Sequence, residues 1–196
     1  MSRTADRSAQ AEALSRAVWS VLAGQGLERL TVRAVAAAAG CTTGLVMHRF
    51  PNRQALLLHA RQLLHQVTRA RVEALEAGAV TPRAALRAVL HQGMALDEQT
   101  RQEAVVWLGF LAAAVADDGL VAEHRRNNRV WRERVERLTA AAAPDWTAGR
   151  VAAVALALIS MTEGVAAYAA ADPAAFPPAD QERMLDTALA AYGLAE

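Results

Sequence analysis

Apolar residues recur every three or four positions along most of the chain, and this spacing limits the possible folds more than any other feature. The first such stretch, Leu14, Ala17, Val18, Val21 and Leu22, falls on one face of a helix. No segment alternates apolar and polar residues over the length of a strand. Alanine fills about a quarter of the 196 positions and aromatic residues only 5%, which favours closely packed helices over a sandwich or barrel. The sequence therefore predicts an all-α protein.

Capping residues and helix breakers divide the chain into consecutive helices. Thr31, Asn52 and Thr81 are the side chains that we expect to cap helix N-termini, and Thr42 or Thr43 caps another. The predicted helices span about 10–24, 31–38, 42–49, 53–77, 82 onward, 97–116, 120–142, 146–171 and 179–192.

Charge is distributed unevenly along the chain. Residues 1–71 contain ten arginines and three acidic residues, a net charge of +7, whereas residues 72–196 carry a net charge of −6. The split indicates that the first third of the chain meets a polyanion, with a chance unevenness of surface charge as the alternative. A second basic run, Arg125 to Arg137, is interspersed with glutamates and is typical of a solvated helix face.

Residues 31–49 have the pattern of a helix-turn-helix. Ala36 is small where the two helices cross, Gly40 lies in the turn, and Val46 is apolar where the second helix rests on the first. Val32, Val35 and Ala39 complete the inner surface, and the second helix then turns outward Thr42, Thr43, Gly44, Met47 and His48. Such a polar face of little bulk suits a helix that enters the major groove of DNA.

The segment resembles the TetR family of transcriptional regulators. The resemblance lies in residues 30–36 (LTVRAVA), 39–44 (AGCTTG) and 48–56 (HRFPNRQAL), within a region from about 10 to 60. Residues 97, 106–110 and 130–132 resemble the C-terminal type of the choline-responsive branch. The resemblance implies an all-helical homodimer, with a three-helix DNA-binding domain at 1–52 and a ligand-binding and dimerisation domain at 53–196.

The resemblance and the outward face together predict the residues that bind an operator, a double-stranded DNA site. They are Thr31, Arg33, Thr42, Thr43, Gly44, Met47, His48, Arg49 and Arg53. The family usually has tyrosine where Met47 stands and lysine where Arg53 stands, so one backbone contact is lost or replaced while the charge at Arg53 is kept. The alternatives are that Thr31 is only a cap and that Arg33 and Arg49 are solvated surface residues. Cys41 is most simply a small residue of the turn, and a redox role would require a lowered thiol pKa.

The C-terminal part contains bulky or polarisable side chains among many alanines. We expect an unidentified small-molecule effector to contact residues from this set, namely His91, Met94, Trp107, Phe110, Trp131, Met161 and Tyr168. The alternative for each residue is that it packs in the hydrophobic core and contacts no ligand.

The last two predicted helices, about 146–171 and 179–192, are expected to form the homodimer. Apolar residues surround the first of them, including Val151, Val154, Leu156, Leu158 and Ile159, and the second adds an apolar surface of its own. Pairing with a two-fold mate would cover both, and a Leu158→Glu variant would then be a folded monomer. The alternative is that the two helices cover each other within one chain. The two-fold axis predicts an inverted-repeat operator.

Other protein classes fit the sequence poorly. The chain lacks the common nucleophile, zinc-protease and phosphate-loop motifs, and its five histidines lack ligand spacing, so we expect no enzyme, no metal site and no cofactor. A single cysteine, Cys41, excludes an intramolecular disulfide. The apolar stretch 151–171 contains Ser160, Thr162 and Glu163, which favours a buried helix over a membrane span. Without a signal peptide pattern, a cytoplasmic location is expected.

Overall fold

The computed structural model describes the backbone of residues 2–26 and 29–196, and the side chains from residue 9 onward within these ranges. In this part of the chain the regular secondary structure is helical and contains no strand, which confirms the predicted all-α class. The helices are α1 (Ser2–Gln25), α2 (Val32–Ala39), α3 (Thr43–Arg49), α4 (Arg53–Gly78), α5 (Pro82–Gln92), α6 (Glu98–Ala114), α7 (Asp118–Ala142), α8 (Ala148–Ala171) and α9 (Pro178–Ala191).

Side-chain caps begin four of these helices where the sequence predicts them. The side chains of Thr31, Thr42, Asn52 and Thr81 each accept a hydrogen bond from the backbone N–H three residues later, at 3.1, 3.3, 2.9 and 3.0 Å. Each bond satisfies an N–H group that has no partner inside the helix. The start of α1 at Ser2 is earlier than predicted, because apolar spacing marks only the packed part of a helix.

The first of two compact units comprises Met1–Gln66 and Val105–Glu123. It contains α1 to α3, the first half of α4 and parts of α6 and α7. Its core is apolar and includes Val18, Leu22, Leu30, Val35, Val46, Leu56, Phe110 and Leu120. The unit therefore extends past the predicted domain boundary at residue 52, and the limits of the DNA-binding domain stay a prediction.

The second compact unit comprises Val67–Ala104 and His124–Glu196. Its core includes Leu86, Leu90, Met94, Val135, Leu138, Leu158, Leu185 and Leu194. Gln181 of α9 is 1% exposed, and its amide binds backbone groups of Ala95 and Phe176. The hydrogen bonds to Ala95 join α9 to the segment that connects α5 and α6.

The buried face of α8 corrects one sequence-based expectation. Leu158 is 1% exposed and belongs to the core of the chain itself, together with Ile159 and Leu185. A Leu158→Glu substitution would place a charge in that core, so the expectation of a folded monomer from this variant is wrong. Leu156, at 45% exposure, and Tyr168, at 64%, are the large apolar residues of α8 that stay uncovered in one chain.

Within the described part of the chain, α8 is the one helix that is long and apolar enough to cross a membrane. Nine of its residues are buried against the rest of the chain, among them Val154, Leu158 and Thr162. Such burial is typical of a core helix in a globular protein.

Candidate nucleic-acid interface

A glycine turn fixes the angle between α2 and α3. Gly40 has a φ of +62°, the left-handed region that favours glycine, as the sequence predicted. Its backbone N–H donates to Ala37 O at 3.2 Å, and the N–H of Cys41 donates to Ala36 O at 3.0 Å. These bonds satisfy the carbonyl groups at the end of α2 and allow the chain to reverse into α3 within three residues.

Apolar packing holds α3 against the rest of the first unit. Val46 is completely buried, as is Val35 of α2, and Phe50 at the end of α3 is 4% exposed. Val32 and Ala39 pack against the same core with partial exposure. The predicted inner surface of the helix-turn-helix is thus confirmed, and the orientation of α3 about its own axis is fixed.

The opposite face of α3 and its flanks are open to solvent. All nine predicted DNA-binding residues are exposed: Thr31, Arg33, Thr42, Thr43, Gly44, Met47, His48, Arg49 and Arg53. His48 is therefore not a core histidine. The side chains of Thr31 and Thr42 also cap the N-termini of α2 and α3, and Arg33, Arg49 and Arg53 are exposed in the same stretch of chain. The arrangement offers hydrogen-bond donors and positive charge to an anion.

A histidine that was not among the predicted site residues links α1, α4 and the end of α3. The Nε2 atom of His59 lies 2.8 Å from Ser15 Oγ, and its ring lies 4.9 Å from that of Phe50. Because the Ser15 hydroxyl donates to Ala11 O, Nε2 is the donor to Ser15. Burial, and then the charge of Arg49, lower the pKa of His59. A neutral His59 thus supports the end of α3, and its position between the buried Leu56 and Ala60 of α4 is the sequence pattern that could have marked it.

The N-terminus of α4, where Arg53 stands, is fixed by a second polar contact. Gln54 Nε2 donates to Asp117 Oδ1 at 2.7 Å. The same oxygen accepts from the backbone N–H of Leu120 at 2.9 Å and so caps α7. The bond from Leu120, with help from Gln54, lowers the pKa of Asp117, which stays ionised near neutrality. The start of α4 is therefore anchored within the first unit.

The predicted effector residues are divided between the two compact units. Met94 lies in the core of the second unit, with Trp131 and Met161 partly buried against that core. Trp107 and Phe110 belong to the core of the first unit. Tyr168 is 64% exposed and stacks on Phe176, with 5.4 Å between the ring centroids. Only His91 lines the groove of the second unit described below. An effector role for each of the seven residues stays a prediction.

Two family models match this chain in adjacent regions. Residues 16–60 match the model of bacterial regulatory proteins of the tetR family, and residues 82–193 match that of the C-terminal domain of BetI-type transcriptional repressors. Among curated proteins, the chain is 25% identical over 114 residues to the HTH-type transcriptional regulator PksA of Bacillus subtilis (strain 168). That match covers 58% of this chain and 56% of PksA, so the matched region spans little more than half the length of this relative.

Solved structures share the fold over nearly the whole chain. A transcriptional regulator from Rhodococcus sp. Rha1 is 29% identical, with a TM-score of 0.83 over 92% of this chain and 94% of the other. A protein from Saccharomonospora viridis, described as a transcriptional regulator in complex with choline, has a TM-score of 0.85 over 94% and 96% of the two chains. At 14% identity, it shows the fold alone. Because the C-terminal model covers more than half of the chain and the tetR model covers its helix-turn-helix, this protein belongs to the TetR family of DNA-binding transcriptional regulators.

Proposed function

We propose that this regulator is a repressor that binds an inverted-repeat operator as a homodimer and leaves it when a small molecule binds. The observation that carries the proposal is the exposed face of α3, which lies opposite the buried Val46 and carries five of the nine predicted contacts, all open to solvent like the four on its flanks. A rigid, shallow, polar helix face beside exposed arginines matches the major groove and its phosphates. The family consists of transcription factors, and we propose a cytoplasmic location with no catalytic role.

Two groups of residues have different roles in this proposal. Thr42, Thr43 and His48 lie at or near α3 and reach base edges or adjacent phosphates. Arg33 and Arg53 flank that helix and hold the DNA backbone. Base contacts set the preference among sites, whereas phosphate contacts act on every sequence alike.

Replacing Thr43 with alanine is expected to change the preference among operator variants by ~1–3 kcal/mol, if a good base contact is lost. Replacing Arg53 with alanine should weaken binding to all variants alike and reduce the salt slope by about one unit. Fluorescence anisotropy over a set of operator variants at several salt concentrations measures both effects. The assignment is wrong if Arg53→Ala changes sequence preference and Thr43→Ala does not.

The dimer proposal rests on apolar surface that one chain leaves uncovered on α8 and α9. Leu156 is 45% exposed and Met184 is 40% exposed, although both helices already contribute to the core of the second unit. Exposed small residues of α8, Ala153 and Ala157, allow a partner helix to come close. Pairing across a two-fold axis would cover this surface and set two recognition helices ~34 Å apart or somewhat more.

A Leu156→Glu variant is expected to fold as a monomer and to bind the operator poorly, because its charge would lie in the proposed interface. Val80→Glu is the matched control, since Val80 is 91% exposed and lies in the same unit outside α8 and α9. Analytical ultracentrifugation at micromolar concentration, with operator binding in parallel, separates the two variants. A wild-type monomer with full affinity for a single half-site would rule out this assembly.

The effector must bind more tightly to the conformation that holds DNA poorly than to the one that holds DNA well. A ligand with equal affinity for both conformations would not shift the equilibrium between them. Helix α4 begins at Arg53, beside the proposed DNA contacts, and ends at Gly78 in the second unit. We propose that this continuous helix transmits effector binding to α3.

A further inference from the structure

A groove of about 330 Å³ runs along α5 in the second unit. Helix α4 lines it with Arg71 and Leu75, and α5 lines it with Arg87, Ala88, His91 and Gln92. Leu96, Asp97 and Thr100, at the start of α6, complete the wall. This α5 groove therefore combines an apolar surface with charges of both signs, and its volume suits a small ligand.

The two arginines of the α5 groove are held in place by carboxylates. Arg71 donates to both oxygens of Glu103, at 3.1 and 2.8 Å, and Arg87 donates to both oxygens of Asp186, at 2.6 and 3.1 Å. Each guanidinium uses only part of its five N–H groups in these bonds. The pairs are thus close to neutral, rigid, and still able to donate to a ligand.

Gln92 adds a donor that lacks an acceptor. Its Nε2 atom is buried and has no hydrogen-bond partner within the described ranges, 2–26 and 29–196. A buried amide donor without an acceptor destabilises the folded chain, because it loses its hydrogen bond to water and gains none in the protein. Because the terminal torsion of glutamine is soft, a small rotation would let a ligand oxygen in the groove satisfy this donor.

Asp97 supplies a negative charge to the lining of the groove. Its Oδ1 accepts from the backbone N–H and the hydroxyl of Thr100, both at 2.7 Å. These bonds, and to a smaller extent the charge of Arg71, lower the pKa of Asp97, which is therefore ionised near neutrality. Asp97 makes no ion pair within the described part of the chain, so its charge is free to meet a cation.

We propose that the α5 groove binds a free α-amino acid with an apolar side chain. Arg87 and Gln92 take the carboxylate, Asp97 takes the ammonium group, and the side chain lies on Leu75 and Leu96. A simple anion would be repelled by Asp97, and a simple cation would leave Gln92 and the spare guanidinium N–H groups without an acceptor. A zwitterion meets both demands. Its role as the effector rests on the function proposed above, whereas its binding does not.

Isothermal titration calorimetry of the 196-residue chain without DNA tests the binding. The probes are L-leucine, L-valine and L-phenylalanine, together with 4-methylpentanoate and leucinamide, which each keep one of the two charges of leucine. We expect leucine to bind, and 4-methylpentanoate and leucinamide each to bind at least tenfold more weakly than leucine. Binding of either analogue as tightly as leucine, or no binding of any of the three amino acids at millimolar concentration, would overturn the proposal.

Variants locate the binding to the groove. Asp97→Asn removes the charge while keeping a side chain that caps α6 well, and Gln92→Leu removes the amide. Both should raise the dissociation constant at least tenfold with little change in melting temperature. The control Arg183→Gln removes a charge from an exposed position of α9, where Arg183 pairs with Asp180 outside the groove, and should bind as the wild type does. Wild-type affinity in both groove variants would refute the assignment.

Operator binding in the presence of the same amino acid separates the two proposals. Release of DNA by the wild type, but not by Asp97→Asn, supports the groove as the effector site. Amino-acid binding that leaves operator affinity unchanged would retain the groove assignment and remove its regulatory role.

Discussion

Replacing Val46 with aspartate is expected to lower the free energy of unfolding of the first unit by about 4 kcal/mol and to abolish operator binding. Val46 is completely buried on the inner side of α3, where it packs with Val35 and Phe50. A carboxylate at this position would be desolvated without an opposite charge to compensate it. Thermal or denaturant unfolding, followed with operator binding on the same sample, measures both effects.

Met47→Asp is the matched control because the same charge enters α3 one residue later, where the side chain is 54% exposed. Its free energy of unfolding should stay within about 0.5 kcal/mol of wild type, as for most exposed positions. Operator binding should still weaken, since the new carboxylate would face the phosphates. Equal stability of the Val46 and Met47 variants would show that α3 does not pack as described.

Replacing Gln181 with leucine is expected to destabilise the second unit by about 3 kcal/mol, although the two side chains are similar in size. The Gln181 amide accepts from Ala95 N at 3.2 Å and donates to Ala95 O at 2.9 Å and Phe176 O at 2.8 Å. Leucine would leave these three backbone groups without partners beside a buried side chain. Chemical denaturation monitored by tryptophan fluorescence measures the decrease in the free energy of unfolding.

Gln102→Leu is the control for replacing a glutamine by a leucine at a position that is not buried. Gln102 lies in the same unit and makes one hydrogen bond, to Glu98 on its own helix, in a partly solvated setting. Because water can replace that bond, the free energy of unfolding should change by no more than about 0.5 kcal/mol. If both glutamine variants lost the same free energy of unfolding, the hydrogen bonds of Gln181 would not be what holds α9 to the α5–α6 connection.

Local features were predictable because short-range chemistry decides them. Thr31, Asn52 and Thr81 cap helices in the structure because each precedes a helix-compatible segment and can accept from its first turn. The positive φ of Gly40 follows from the requirement of a tight turn between α2 and α3. The exposed face of α3 follows from the apolar pattern that buries Val46.

The spacing of apolar residues alone does not predict which distant part of the chain buries each of them. The pattern of α8 shows apolar residues on every side, but it does not show which neighbour covers each one. The structure buries Leu158 within the chain and leaves Leu156 exposed, which moves the test of the dimer from one residue to the other. In the same way, Phe110 and Met94 look alike as candidate ligand contacts, yet they belong to the cores of different units.

The α5 groove was also missed, apart from His91. Its polar residues come from three segments that the sequence separates, and only Arg87 and His91 share a helical spacing of four that could have marked a common face. The unpaired amide of Gln92 depends on the packing around it, for which the sequence contains no local pattern.

Selection of bound duplexes from a random DNA pool tests whether this protein binds an inverted repeat as a homodimer, because it assumes no operator in advance. We expect strong enrichment of inverted repeats, each bound by two protomers, with half-site centres ~34 Å apart or somewhat more. The Arg53→Ala variant should recover the same sequences with lower yield. Absence of enrichment, or recovery of sites without two-fold symmetry that bind one protomer, would show that the protein does not bind DNA in this way.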